Sequence, residues 1–225
     1  MKIYLKRIIG TTICLISVFW IFYIWLSIQD FGSRFSSTEI SLLSLGRITA
    51  LIGLVLFSIT MVLHTRINFL LYILDLPFII KLHHVFGSLS FILILVHPIF
   101  LATRIFITSP YMAARFLLPS DENLANFSGL AALFLMGFVI IVTNYLKGQP
   151  FIWKWIHRVM LVVLAGSLVH LLLVSSDISQ SNILKWSLLL IMITGVIAFI
   201  YQRTVKYLKT KTLTPNFQQN TEASK

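Results

Sequence analysis

The chain has 225 residues, 58% of them hydrophobic and 11% charged, with a mean hydropathy of +0.92. A soluble domain of this size cannot bury so much apolar surface, so an integral membrane protein is the first expectation. The formal charge of +11 lies in short runs between apolar stretches, which points to topology and anionic headgroups rather than nucleic acid, and the one cysteine, Cys14, excludes an internal disulfide.

Crossing a hydrocarbon core of roughly 30 Å takes about 20 apolar residues in a helix. Six stretches qualify, approximately Ile8 to Ile28, Ile40 to Leu63, Leu82 to Thr103, Phe127 to Leu146, Trp155 to Val174 and Ile183 to Tyr201. They are too long and too lacking in alternation to be barrel strands. The expected fold is therefore an all-α bundle of six transmembrane helices over residues 1–205. Lys2, Lys6 and Arg7 precede the first stretch like the start of a signal peptide. That stretch is long for a signal and no small-residue cleavage site follows, so it reads as an uncleaved span. The longest loop, Arg104 to Asn126, offers a short interfacial helix over Tyr111 to Leu118. Residues 206–225 are polar, contain Pro215, and are expected to form a disordered tail.

Orientation follows from the basic residues. With the N-terminus cytoplasmic, 13 of the 18 Lys and Arg fall inside, and five of the seven acids (Asp30, Glu39, Asp121, Glu122 and Asp177) fall outside. Both termini are thus expected in the cytoplasm, with the chain threaded through the cell inner membrane and its basic ends against lipid headgroups. The third and fifth spans then run in the same direction, from the inner leaflet to the outer one.

Those two spans carry five of the six histidines: His83, His84 and His97 on the third, His157 and His170 on the fifth. Ionisable groups inside a membrane are costly and mark functional sites. A lone histidine is better explained by a bond to a neighbouring carbonyl. Here the same arrangement occurs twice, a histidine near the inner end and another 14 or 13 residues later. At 1.5 Å per residue, each pair is separated by about 20 Å along the helix, one member per leaflet. Neutral imidazole is a good ligand for haem iron. Pairing His83 with His157 and His97 with His170 gives two bis-histidine haem sites between the spans, a stack suited to electron transfer. Zinc is the competing ligand, but it favours more donors at one level than two imidazoles. At about 100° per residue, His83 lies about 40° from the face of His97 and His84 about 140°, so His83 is the better ligand and His84 faces headgroups or a haem propionate. The same arithmetic leaves His157 and His170 about 140° apart, which requires either an irregular helix or two different azimuths of approach.

These residues resemble the ferric-reductase-like transmembrane domain shared by ferric reductases, NADPH oxidases and related bacterial haem proteins. The similarity spans roughly Leu45 to Val174. It rests on Gly46-Arg47, Arg66, Asp75, His83-His84-Val85-Phe86-Gly87, His97-Pro98, Trp155-Ile156-His157-Arg158 and His170. The resemblance implies two b-type haems with the four histidines as axial ligands, and the family's later pair is commonly 13 apart, as here. It also implies a basic residue, here Arg47, beside the outer haem at the acceptor side, whereas snorkelling to headgroups is the plain alternative. Many members continue into a flavin- and nicotinamide-binding module. About two dozen residues follow Tyr201, without a Gly-rich fingerprint. Electrons are therefore expected from a separate flavoprotein carrying FAD or FMN, or from membrane quinol, and are delivered to ferric iron, oxygen or an extracytoplasmic protein.

Two other functions remain open on the sequence. One is the haem membrane subunit of a methionine sulfoxide reductase system, which His83 disfavours because that group tends to lack the first histidine. The other is a non-redox transporter or assembly factor. Arg158 suits a haem propionate or simple positive-inside topology. Trp153, Trp155 and Trp186 fit an aromatic belt, Gly87, Gly129 and Gly166 close helix packing, and His64 beside Arg66 the membrane interface.

Overall fold

The computed structural model describes residues 2–28, 31–112, 124–146, 148–174 and 180–222. Its helices, in chain order, are α1 Lys2–Ser27, α2 Phe31–Arg34, α3 Thr38–Thr65, α4 Asn68–Ile73, α5 Leu76–Thr108, α6 Leu124–Tyr145, α7 Pro150–Arg158, α8 Met160–Val174 and α9 Asn182–Glu222. Among the described residues, six segments are long and apolar enough to cross a membrane: Tyr4–Ser27, Thr38–Thr65, Leu76–Thr108, Asn126–Tyr145, Lys154–Val174 and Asn182–Val205. The protein is an all-α, six-span membrane bundle. The interfacial helix expected over Tyr111 to Leu118 lies for most of its length outside the described residues. In the polar tail, the backbone continues α9 as helix to Glu222 rather than ending near Tyr201; extending a formed helix avoids the cost of nucleating one.

Helix α3 is the centre of the bundle. Half of its most apolar window is buried (50%), against 11–28% in the other spans. It contributes to all three apolar clusters, through Leu54, Phe57 and Met61 facing α6, α8 and α9, Ile48, Leu51 and Val55 facing α1 and α9, and Leu56 and Leu63 facing α5. Its ends are well defined. Ser37 accepts a bond from the Ile40 amide at 3.3 Å as N-cap, with Glu39 in the first turn. Arg66 closes the helix in the left-handed region (φ 48°, ψ 41°), returning its amide to the Leu63 carbonyl.

Helix α5 begins at Asp75 and Pro77, a start suited to proline because the first helical amides have no partner in any case. It is longer than the apolar stretch alone, 33 residues or about 50 Å, more than an untilted crossing of a roughly 30 Å core requires. Its N-terminal end is tied to α1: Arg7 meets the Asp75 carboxylate through two bonds of 2.8 Å, and Lys6 Nζ donates to the Tyr72 carbonyl of α4 at 2.9 Å. This bidentate pair holds the Asp75 carboxyl below the usual carboxylate range.

The antiparallel α3–α5 contact sets the frame for the site. His83, Ser90 and His97 on α5 recur every seven residues and meet Thr60, Gly53 and Gly46 on α3, which also recur every seven. Each of the three α5 side chains bonds the facing α3 carbonyl, at 3.2, 2.8 and 2.8 Å respectively. A seven-residue repeat keeps one seam between two helices in contact. Close approach depends on the glycines. A Cβ on Gly53 would lie 2.8 Å from Ile94 Cγ1 and 3.3 Å from the Ile94 amide, and one on Gly46 would lie 3.0 Å from Leu101 Cδ2.

Candidate functional site

At both ends of this seam an imidazole nitrogen faces a main-chain oxygen. A carbonyl only accepts, so Nδ1 of His83 donates to Thr60 and Nδ1 of His97 donates to Gly46. In that tautomer each Nε2 keeps its lone pair free for a ligand. A histidine that binds a metal commonly donates its other ring N–H in this way, which fixes the ring and raises its basicity.

The fifth span brings up the partners. His157 lies in the last turn of α7, and its ring centroid is 5.9 Å from that of His83. His170 lies in α8, 6.5 Å from His97. The two helices are separated by a break at Val159. There the Val159 amide bonds the Ile156 carbonyl and the Val162 amide bonds the Val159 carbonyl, both three residues back, with Val159 at ψ −20°. These are bonds of a 3₁₀ turn, which winds about 20° more per residue than an α-helix. One such turn recovers about 60° of the 140° by which an ideal helix would miss. The helix is thus irregular at Val159, by an amount that covers less than half of the offset.

The residues present fit a bis-imidazole iron at both levels. An imidazole nitrogen bonds a first-row metal at about 2 Å and the ring centre lies about 1 Å beyond, so imidazoles on opposite sides of one iron have centres roughly 6 Å apart. The observed 5.9 and 6.5 Å agree with that spacing. The His97–His170 pair also opens on a cavity of about 210 Å³ lined by His97, His170, Pro98, Gly129, Asn126 and Arg47 among mostly apolar side chains. Gly129 presents bare backbone to His170, where a Cβ would stand 2.7 Å from the ring.

The remaining candidates divide. Arg47 is half-buried and faces the outer cavity. His84 is exposed, and its ring stands edge-on to that of His83 with the centroids 5.6 Å apart. Arg158 is half-buried, with its guanidinium 4.3 Å over the Trp155 ring and a buried Nε that has no hydrogen-bond partner among the described residues. His64, expected at the membrane interface beside Arg66, has its ring centre 4.9 Å from that of His157 and 5.8 Å from that of His83. One signal pointed there: His64 follows Thr60 by one helical turn, close to the short inner connection between the second and third spans. Without the α3–α5 register it had no visible target.

A family model described as a ferric reductase like transmembrane component matches residues 49–169, more than half of the chain. The chain belongs to that family. The match runs from the second span through the fifth and takes in His64, His83, His97 and His157, with His170 one residue beyond its end. No curated protein matches the chain. Ferric-reductase-like components bind haem and serve transmembrane electron transfer, and this one is a multi-pass membrane protein in contact with lipid.

Proposed function

We propose that the protein carries electrons across the cell inner membrane through two b-type haems, held by His83 with His157 and by His97 with His170. The observation that carries the reading is the recurrence of one arrangement at two levels: an α5 imidazole anchored through Nδ1 to an α3 carbonyl, with an imidazole of the fifth span about 6 Å away. When bound, haem would supply a one-electron carrier, with His83 and His157 or His97 and His170 as the residues that would hold it.

The chain's own residues do the rest. Thr60 and Gly46 hold the α5 rings in one tautomer, and apolar side chains of α3, α6 and α8 pack the bundle between the two levels. Arg158 and His84 provide cationic or donor groups for the carboxylates at the inner level, where Arg158 Nε is a donor without a partner among the described residues. Arg47 faces the outer cavity and attracts an anionic or electron-rich acceptor there. With both termini in the cytoplasm, as the basic residues favour, electrons enter at the inner level from a separate flavoprotein carrying FAD or FMN, or from quinol. They leave at the outer level to ferric iron or an extracytoplasmic protein.

The test is a dithionite-reduced minus oxidised spectrum of protein purified in detergent from haem-replete cells, with haem counted per chain. Soret and alpha bands with two haems per chain are expected. Absence of the bands overturns the reading, and one haem per chain means that one of the pairs is not a site.

A further inference from the structure

The inner level holds one imidazole more than two axial positions need. His64 from α3, His83 from α5 and His157 from α7 each offer a ring nitrogen within 4.8 Å of the other two. All three are half-buried, and their ring centres are 4.9, 5.8 and 5.9 Å apart. The outer level has no third imidazole among the described residues: only His97 and His170 meet there. Three nitrogens from three different helices, with no carboxylate or thiolate in the cluster, form a donor set for a borderline divalent cation and not for magnesium or calcium. In a tetrahedral site with bonds of about 2 Å, neighbouring donors stand about 3.4 Å apart, a closure that small rotations of the three imidazoles supply. The Nδ1–H of His83 already points at the Thr60 carbonyl, the second-sphere bond that such a ligand uses.

We infer that in the haem-free chain His64, His83 and His157 form a three-nitrogen site for a zinc-class divalent ion, with water in an open fourth position. His83 and His157 are shared with the proposed inner haem, so metal and inner haem exclude each other. Metal binding itself does not depend on the haem reading; only the exclusion rests on it.

The experiment uses full-length protein, free of any polyhistidine tag, purified in detergent from haem-starved cells and titrated with Co²⁺ followed by Zn²⁺. The expected result is one Co²⁺ per chain with the visible bands of a low-coordinate site, displaced by Zn²⁺. Loss of a ligand costs at least the roughly tenfold to hundredfold in affinity that loss of a second-sphere partner does, so His64→Ala weakens Co²⁺ binding by about that much or more. His97→Ala leaves it unchanged. Haem uptake by the same samples reports folding, and haem-loaded protein binds no Co²⁺. The inference is overturned if wild-type protein that still takes up haem binds no Co²⁺, or if His64→Ala binds it as tightly as wild type. Co²⁺ retained after full haem loading overturns the exclusion. Failure of the haem reading has a separate signature: no Soret band on haem addition, with Co²⁺ binding intact.

Discussion

The inner and outer histidine levels share one scaffold and differ in everything around it. At each level a carbonyl of α3 holds an imidazole of α5, and the fifth span supplies a second ring. The inner level is crowded: His64 and His84 lie beside the pair, and Arg158 follows His157 in the last turn of α7. The outer level is open, with a cavity of about 210 Å³, Arg47 on its wall and bare backbone at Gly129. An end with spare imidazole donors and an end with a cavity and Arg47 on its wall suit different duties in the proposed function, the first holding a cofactor and the second meeting an acceptor.

The largest effect that separates the two levels is expected from His97→Ala. It removes the ligand of the open level and should lower the haem content from two per chain to one, with the inner haem unchanged. Loss of both haems from folded protein would show that the levels are not independent. Gly129→Ala comes next. Its methyl group would stand 2.7 Å from the His170 ring, so the ring must turn. Partial loss of the outer haem is expected, measured by the same haem count, while a change confined to the inner haem would break the assignment of the two levels.

Ser90 sits midway between the levels, fully buried, and donates to the Gly53 carbonyl at 2.8 Å. Ser90→Ala should cost about 1 kcal/mol in thermal unfolding in detergent, because that carbonyl sits within a helix whose own bond it keeps. A larger loss, with both haems shed, would mean that this bond sets the register for both histidines. The smallest effect belongs to the Arg7–Asp75 tether at the inner end. Its carboxyl is held low by the Arg7 bonds, so the tether's contribution is complete above the ordinary carboxylate range and disappears as pH falls through the lower folded value. Stability should therefore decline with acid from about pH 5 downward, modestly because the pair is partly exposed, and Asp75→Asn should flatten that decline.

The six spans were legible because the membrane forces hydrophobic length on every crossing helix. The choice of His83 over His84 to face the bundle was legible too, since α5 is regular between Leu82 and His97 and azimuth follows from counting. Counting failed on the fifth span, where hydrogen bonds around Val159 form a 3₁₀ turn that no periodicity announces. His64 was missed for a different reason. Its neighbours come from α5 and α7, and only the packing of three helices brings those rings together. The ladder itself was visible in the sequence as two seven-residue series, Gly46, Gly53, Thr60 and His83, Ser90, His97. Which member faced which depended on the antiparallel register of α3 and α5.

The central claim is that each level presents two imidazoles to one iron. Electron paramagnetic resonance of the oxidised, detergent-purified protein reads this directly, because an iron with two nitrogen axial ligands is low-spin whereas one with a single imidazole is high-spin. Two low-spin ferric signals of equal weight are predicted, one of them lost in His97→Ala. A stoichiometric high-spin signal in the wild-type protein would contradict the pairing.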